Sequence, residues 1–257
     1  MTPSLEDAVT GTAAGVPFVA LPPAGGTGRG TVGRAPMIAA WHPTADPCSP
    51  AAMAAALPLS GLPAWRVYFG LPGTGSRHLD RPGGQDLLLD GYAPMIEQAA
   101  AEFPAARAVL LDELPIDDGP VAVMGGSAGG HVALLVLTGG HVPVAAAALI
   151  NPAVRAESVV LVNEGFHDFT YHWTEEARAK AAALDMVAAA ASVKAAVLLV
   201  TGEHEYPEFR PDQDALLAAL GGTAHHVTIP GMDHTFAEEP ALDPAITAWL
   251  APIHDHG

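Results

Sequence analysis

Short apolar runs alternate along the chain with longer alanine-rich stretches. Short apolar runs bounded by turn residues are typical of buried strands, and the longer stretches are typical of helices. The predicted strands cover residues 16–21, 37–41, 65–69, 121–124, 145–150, 196–200 and 226–229. The predicted helices cover residues 49–56, 87–103, 128–137 and 242–253. This order predicts one α/β domain over residues 1–257, with a mostly parallel central sheet flanked by helices.

The connection between the strands at 145–150 and 196–200 is longer than a direct link between two strands needs. Residues 151–193 are therefore predicted to form a small lid insertion within the domain. Phe166, Phe169 and Trp173 lie in this insertion, and Thr174 is the predicted N-cap of a helix that runs towards residue 191. An insertion between two strands is a position from which a lid can cover a site.

A second connection, residues 25–33, is rich in glycine and ends in the pattern Gly-x-Gly-x-x-Gly. A nucleotide-binding loop of this kind must open a helix, because the helix N-terminus binds the phosphate. No amphipathic helix pattern follows, and Pro36 would interrupt one. These residues are therefore predicted to form a turn between the first two strands.

Composition and charge narrow the class of protein. A formal net charge of −17 disfavours phosphate backbones and anionic membrane surfaces, so neither a nucleic acid nor a membrane is an expected partner. The single cysteine, Cys48, excludes an internal disulfide. Neither a leader sequence nor an apolar run of membrane-spanning length is visible. We expect a cytoplasmic protein without a metal or an organic cofactor, and the sequence does not indicate its oligomeric state.

Residues 125–130, Gly-Gly-Ser-Ala-Gly-Gly, carry the most specific chemical pattern. They contain Gly-x-Ser-x-Gly, directly after the strand predicted at 121–124 and at the start of the helix predicted at 128–137. A nucleophile elbow needs this context, which is a sharp turn from strand to helix with a strained serine at its tip. Ser127 is therefore predicted to be a nucleophile, and the glycines are expected where a Cβ would collide with the neighbouring strand and helix.

With three further motifs, this elbow resembles that of the α/β-hydrolase superfamily, and of small serine carboxylesterases in particular. Residues 198–205, Leu-Leu-Val-Thr-Gly-Glu-His-Glu, resemble the strand and turn that carry the acid in that family. Residues 229–236, Ile-Pro-Gly-Met-Asp-His-Thr-Phe, resemble the loop that carries the histidine. Residues 67–75, which end in Leu-Pro-Gly-Thr-Gly, are similar to the loop after the fourth strand. The order nucleophile, acid, histidine is that of the family.

The resemblance implies a catalytic triad of Ser127, Glu205 and His234. His234 would take the serine proton during attack, and Glu205 would orient the imidazole and stabilise its charged form. The family usually has aspartate at the position of Glu205, and glutamate is an accepted variant.

Other residues compete for the acid and the histidine roles. Glu203 lies two residues before Glu205 and would point away from it if the turn is extended. Asp233 adjoins His234, and neighbouring side chains usually diverge. The histidines at 225–226 precede or begin a predicted strand, where histidines are usually structural. Glu205 and His234 are favoured, and the choice between Glu205 and Glu203 stays open.

The resemblance also implies two backbone N–H donors for the oxyanion. One is the N–H of Ala128, and the other comes from the loop after the strand at 37–41. Many family members have His-Gly before that donor, whereas this chain has His-Pro at residues 42–43, and proline has no N–H to donate. The second donor is therefore assigned to Thr44. The expected substrate contacts are His42, Phe166, Phe169 and Trp173.

The predicted function is hydrolysis of a small-molecule carboxylic ester through an acyl-serine intermediate. A thioesterase, a lactonase or an amidase would use the same triad, because the elbow does not select the leaving group. A non-catalytic binding protein on a hydrolase scaffold is a third alternative, because Pro43 departs from the oxyanion loop of the family.

Overall fold

Eight strands form one sheet in the order β1-β2-β4-β3-β5-β6-β7-β8. The computed structural model describes residues 7–24, 33–75, 77 and 85–254, so the turn predicted at 25–33 lies outside the described residues except for Gly33. The strands are β1 (Val9–Ala13), β2 (Val16–Leu21), β3 (Met37–Trp41), β4 (Trp65–Phe69), β5 (Val121–Gly126), β6 (Val144–Ile150), β7 (Ala196–His204) and β8 (Ala224–Asp233). Strand β2 pairs antiparallel with β1 and β4, and the other neighbouring pairs are parallel. The mostly parallel sheet is the one predicted from the sequence.

The helices in the described residues are α1 (Pro50–Ala56), α2 (Ala93–Glu113), α3 (Ala128–Gly139), α4 (Ala156–His167), α5 (Glu175–Ala183), α6 (Met186–Ala190), α7 (Arg210–Leu220) and α8 (Leu242–His254). A π-helical turn, Leu87–Tyr92, leads directly into α2, which runs well past the predicted end at residue 103. Strand β1 and the helices α4 and α7 were not predicted. None of the described helices has both the length and the apolar character to cross a membrane.

Both faces of the sheet are buried under helices. Along β3, Met37, Ala39 and Trp41 belong to one core cluster, whereas Ile38 and Ala40 belong to the other. Successive residues of a strand point to opposite faces, so a strand that is covered on both sides must be continuously apolar. Helices α2 to α7 contribute to the first cluster, and α1 and α8 contribute to the second. Because β3 to β8 pair in parallel, their carboxyl ends share one edge of the sheet.

Residues 151–193 contain α4, α5 and α6 between β6 and β7. The prediction that Thr174 is an N-cap is confirmed, because its hydroxyl oxygen accepts a hydrogen bond from the N–H of Ala177 at 3.1 Å. The predicted length of that helix is wrong. Asp185 caps a separate helix, α6, by accepting from the N–H of Val187 at 2.9 Å, so the helical stretch is divided before residue 191.

Candidate active site

The turn between β5 and α3 places Ser127 at the carboxyl end of a central strand. Ser127 has φ 50° and ψ −117°, a strained backbone conformation that is characteristic of a nucleophile elbow. The turn is tight because it contains glycine. A Cβ on Gly125 would lie 2.0 Å from the carbonyl oxygen of Gly129, and a Cβ on Gly129 would lie 2.2 Å from that of Trp41. The collisions expected from the sequence are therefore found at these two positions.

Hydrogen bonds hold the backbone of Ser127 on both sides. Its N–H donates to the carbonyl oxygen of Ile150 at 3.0 Å. Its own carbonyl oxygen accepts from the N–H groups of His131 and Ala153 at 3.2 and 3.1 Å. The tip of the elbow is thus joined to the end of β6 and to the first turn of α3, and the hydroxyl extends from a fixed backbone.

Three side chains from separate strand ends form one hydrogen-bonded chain. Ser127 Oγ lies 2.9 Å from His234 Nε2, and His234 Nδ1 lies 2.7 Å from Glu205 Oε1. The histidine and glutamate side chains are 6% and 0% exposed. A neutral imidazole with its proton on Nδ1 satisfies both bonds, because Nδ1–H donates to the carboxylate and Nε2 accepts from the hydroxyl. This arrangement can transfer the serine proton to the imidazole.

Glu205 reaches the imidazole, and Glu203 does not. Glu205 Oε1 also accepts from the N–H of Tyr206 at 2.6 Å, and Oε2 accepts from Gln213 Nε2 at 3.2 Å. Both oxygens of this buried carboxylate therefore have partners, as a buried charge requires. Glu203 is exposed and accepts instead from the N–H of Gly231 at 2.8 Å.

Asn151, at the end of β6, was not identified from the sequence. It is fully buried and has φ 41°, a left-handed conformation in which asparagine is several-fold enriched over other non-glycine residues. Its Nδ2 donates to the carbonyl oxygens of Asp233 and His234 at 2.9 and 3.2 Å, and its Oδ1 accepts from the N–H of Gly202 at 2.7 Å. One amide thus connects the backbone of the histidine loop to the strand that leads to Glu205.

The loop between β3 and α1 borders the nucleophile. Thr44 and Ala128 line the same cavity as Ser127 and His234. The N–H of Ala128 opens α3, where the positive end of the helix dipole favours a negative charge. The expected pair of oxyanion donors therefore lies on the two elements that flank the nucleophile.

His42 does not lie in the cavity, contrary to the expected substrate contact. It is 1% exposed. Its Nδ1–H donates to the carbonyl oxygen of Pro43 at 2.7 Å, and its Nε2 accepts from the N–H of Leu71 at 3.2 Å. Burial lowers the pKa of His42. This neutral ring joins the loop after β3 to the loop after β4.

A cavity of about 710 Å³ opens beside the nucleophile. Asp86 and Asp90 line it, and none of the described lining residues is Lys or Arg. Two carboxylates at the wall of the cavity, with no cation among its described lining residues, disfavour an anionic group in it. The π-helical turn, α2 and α4 contribute several of the apolar lining residues, namely Leu87, Met95, Val159, Val162 and Phe166.

Of the three aromatic residues expected to contact substrate, the structure places Phe166 in the cavity. Phe169 and Trp173 are not among the described lining residues. Helix α4 ends before Asp168, which has φ 48°, so the chain changes direction between Phe166 and Phe169. Trp173 packs edge-on against Tyr171, with 4.9 Å between the ring centroids. The predicted aromatic lining therefore reduces to one residue.

His131, on α3, connects this helix to the π-helical turn. It is completely buried, and its Nδ1 is 2.9 Å from the hydroxyl of Tyr92, which lines the cavity. Burial lowers the pKa of His131 to about 3, so the ring is neutral near pH 7. Within the described residues, no group of three His, Cys, Asp or Glu side chains is placed to hold a metal ion.

Solved structures with this architecture cover nearly the whole chain. An acetyl xylan esterase from Paenibacillus sp. R4 has a TM-score of 0.69 at 17% identity, over 95% of this chain and 82% of that one. A protein from Thermoplasma acidophilum described as a predicted CIB-like hydrolase has a TM-score of 0.64 at 12% identity, over 95% of this chain and 98% of that one. A puromycin-hydrolyzing peptidase from Mycobacterium tuberculosis has a TM-score of 0.67 at 18% identity, over 95% of this chain and 38% of the peptidase.

These comparisons concern structure alone. No protein-family model matches the sequence, and no curated protein matches it. Identities this low establish the fold and not the reaction. The fold that these neighbours share with the chain is the one predicted from the order of its motifs.

Proposed function

We propose that this chain, which has the α/β-hydrolase fold, is a serine hydrolase that cleaves a carboxylic ester through an acyl-serine intermediate. The observation that carries the proposal is the hydrogen-bonded chain from Ser127 Oγ through His234 to Glu205. A serine hydroxyl is a weak nucleophile until a base removes its proton, and His234 Nε2 is within hydrogen-bonding distance to do so.

In the acylation step, Ser127 Oγ attacks the ester carbonyl carbon while His234 takes the hydroxyl proton. Glu205 holds the imidazole in the correct tautomer and stabilises the imidazolium. The tetrahedral oxyanion accepts hydrogen bonds from the backbone N–H groups of Ala128 and Thr44. The imidazolium then donates its proton to the leaving alkoxide oxygen as the C–O bond breaks.

In the deacylation step, water attacks the acyl carbon and His234 accepts its proton. The tetrahedral intermediate collapses with Ser127 Oγ as the leaving group, and the imidazolium returns the proton to that oxygen. The carboxylic acid and free enzyme result. The same two N–H donors serve both steps, since the oxyanion forms at the same place.

The cavity supports a neutral acyl group of moderate size. Its apolar lining on α2 and α4 favours hydrocarbon. Asp86 and Asp90 disfavour an acyl chain that ends in a carboxylate. An ester with an uncharged acyl chain is therefore the substrate class we propose.

An amide substrate is the second candidate. It is favoured by the likeness to a peptidase that hydrolyses puromycin, at a TM-score close to that of the esterase. Amides need a protonated leaving amine, and His234 would supply that proton as general acid. The hydrogen-bonded chain from Ser127 to Glu205 serves either substrate, so the choice between ester and amide depends on the substrate comparison.

A matched substrate set tests the proposal. The rates are compared at equal concentration for para-nitrophenyl esters of increasing acyl chain length. The set also includes the butyryl thioester, the butyryl anilide and the hemisuccinate ester. We expect the neutral esters to be turned over fastest and the hemisuccinate at least about tenfold more slowly than butyrate, a difference of 1.4 kcal/mol. Faster hydrolysis of the anilide would select the amide candidate instead.

Two variants separate catalysis from binding. Ser127→Ala should abolish turnover of every ester. Ser192→Ala removes an exposed hydroxyl that bonds only its own turn, and it should leave the rates unchanged. Turnover that is equal in Ser127→Ala and wild type would support the non-catalytic scaffold and contradict the proposed mechanism.

A further inference from the structure

The ring of Tyr206 is stacked on the imidazole of His234. The ring centroids are 4.4 Å apart, and the planes are inclined by 24°. Phe209 also contacts the imidazole, but at 5.3 Å and with a tilt of 42°. Tyr206 is therefore the residue that presents an aromatic face to His234.

The turn after β7 fixes this stack. The N–H of Tyr206 donates to Glu205 Oε1 at 2.6 Å, and Glu205 N–H bonds the carbonyl oxygen of Gly202 at 3.3 Å. The carbonyl oxygen of Tyr206 accepts from the N–H of Phe209 at 3.1 Å. Phe166 packs edge-on against the Tyr206 ring, with 5.4 Å between centroids. The same short turn thus sets both the carboxylate that bonds the imidazole edge and the ring that covers its face.

Hydrogen bonds engage both nitrogens of the imidazole, so a further group can stabilise the charged imidazole only from above or below its plane. Glu205 occupies Nδ1, and the hydroxyl of Ser127 occupies Nε2. Asp233 precedes His234 in the chain and is exposed, and Asp86 and Asp90 line the same cavity. The face of an aromatic ring is electron-rich and attracts a cation that lies over it. The phenol of Tyr206 is itself neutral near pH 7, because burial and the nearby Glu205 raise its pKa.

We propose that Tyr206 is a positioning residue that stabilises the protonated form of His234 through its ring face during acyl transfer. The inference rests on the proposed function in one respect, namely that His234 is the base. The imidazolium forms only after the serine proton has moved. An interaction with that cation is therefore stronger in the transition state than in the ground state, and such an interaction accelerates the chemical step.

The test is the pH profile of kcat/KM in Tyr206→Phe and Tyr206→Leu. Tyr206→Phe keeps the ring and should match wild type. Tyr206→Leu keeps an apolar side chain without a π face. We expect its plateau to fall about three- to tenfold and the acidic limb of the profile to move to lower pH by roughly half a unit. The sign is decisive, because losing stabilisation of the cation makes protonation harder.

A packing role alone gives a different result. If Tyr206 only excludes water, Tyr206→Leu leaves the acidic limb in place or moves it to higher pH, because better hydration favours the charged imidazole. Either outcome would overturn the proposal. Titration with a fluorophosphonate counts the competent sites in each variant, so a partly unfolded sample does not imitate a slower enzyme.

Pentafluorophenylalanine at position 206 repeats the test at nearly constant shape. Fluorination reverses the charge distribution of the ring face, so the acidic limb should move to lower pH as in Tyr206→Leu. An unchanged profile would contradict the proposal. Rates are taken only from turnover that Ser127→Ala abolishes. Failure of the proposed function therefore shows in Ser127→Ala, and failure of this inference shows in the position-206 variants.

Discussion

The proposed catalytic residues lie at the carboxyl ends of β5 to β8 and are almost fully buried. The opposite side of the cavity is partly exposed to solvent. At the first side, which we call the catalytic edge, Ser127, Asn151, Glu205 and His234 are between 0% and 8% exposed. At the second, the cavity wall, formed by residues 86–92 and helix α4, Phe166 is 63% exposed.

The difference follows from what each side must do. Proton transfer and attack need geometry that is correct to a fraction of an ångström, and strand ends in a buried parallel sheet provide it. In the proposed mechanism, the wall contacts the part of the substrate that does not react. Polar contacts of the wall include Tyr171 OH to Asp86 Oδ1 at 2.6 Å and the bond between Tyr92 and His131. Variants of the edge should therefore change kcat, and variants of the wall should change substrate preference.

The largest expected effect at the edge, after loss of the nucleophile, comes from Glu205→Gln. The amide cannot hold the imidazole in the tautomer that accepts the serine proton, and we expect kcat to fall about 10⁴-fold. Steady-state rates on a para-nitrophenyl ester measure it. Glu203→Gln is the matched control, since the Glu203 carboxylate accepts only from the N–H of Gly231 in the described structure. Equal losses in the two variants would contradict the assignment of the acid.

The next effect concerns the second oxyanion donor. Thr44→Pro removes the backbone N–H, and we expect kcat to fall about 10²- to 10³-fold with KM little changed. Thr44→Ala keeps that N–H and removes only the hydroxyl, so it should stay within a few-fold of wild type. Thermal unfolding of both variants checks that the loop has not lost its fold. A near-normal kcat in Thr44→Pro would show that another residue supplies the second oxyanion donor.

Asn151→Gly should have an intermediate effect. Glycine accepts φ 41° without strain, so the substitution mainly deletes three side-chain hydrogen bonds, two to the histidine loop and one to Gly202 of β7. We expect kcat per titrated site to fall about 10- to 100-fold, because a small misplacement of a catalytic group is costly. Leu110→Ala is the control for stability, as it removes a buried side chain of α2 and should leave kcat unchanged. A normal kcat in Asn151→Gly would show that the loop is held by other contacts.

The smallest effect is expected at the wall. Phe166→Ala removes a ring that lines the cavity but remains largely exposed, so the loss in binding should stay below about tenfold in KM. The loss should appear for long acyl chains and not for acetate, while kcat is unchanged. Leu161→Ala, on the same helix and 49% exposed, is not among the described lining residues and serves as the control. A large loss of kcat in Phe166→Ala would remove the distinction between edge and wall.

The edge was the more predictable region. The elbow around Ser127 depends on local constraints, namely glycines where backbones approach closely and a strained serine between a strand and a helix. The strands β2, β3 and β4 were predicted with their observed bounds, because a short apolar run between turn residues is too short for a buried helix and fits a buried strand. The order of the three motifs then placed Glu205 and His234 at neighbouring strand ends.

The rest depends on contacts between residues that are distant in sequence. Nothing around Asn151 indicates that its amide bonds a loop more than eighty residues later. His42 resembled a substrate contact in sequence, but its ring is enclosed by the loops after β3 and β4. Phe166 and Trp173 belong to one aromatic segment. Because α4 ends between them, Phe166 lines the cavity whereas Trp173 packs against Tyr171. Helix α7 was missed because four of its first five residues are polar and the other one is proline. Its buried residues include Gln213, which supports Glu205.

The most direct test of the proposed mechanism is covalent labelling of the nucleophile. Wild-type protein is treated with a fluorophosphonate and analysed by intact mass and by peptide mapping. The mechanism predicts one label per chain, on Ser127, and labelling that is much slower in Glu205→Gln than in Glu203→Gln. A label on another residue, or equal labelling of wild type and Ser127→Ala, would contradict the proposal that Ser127 is activated by His234 and Glu205.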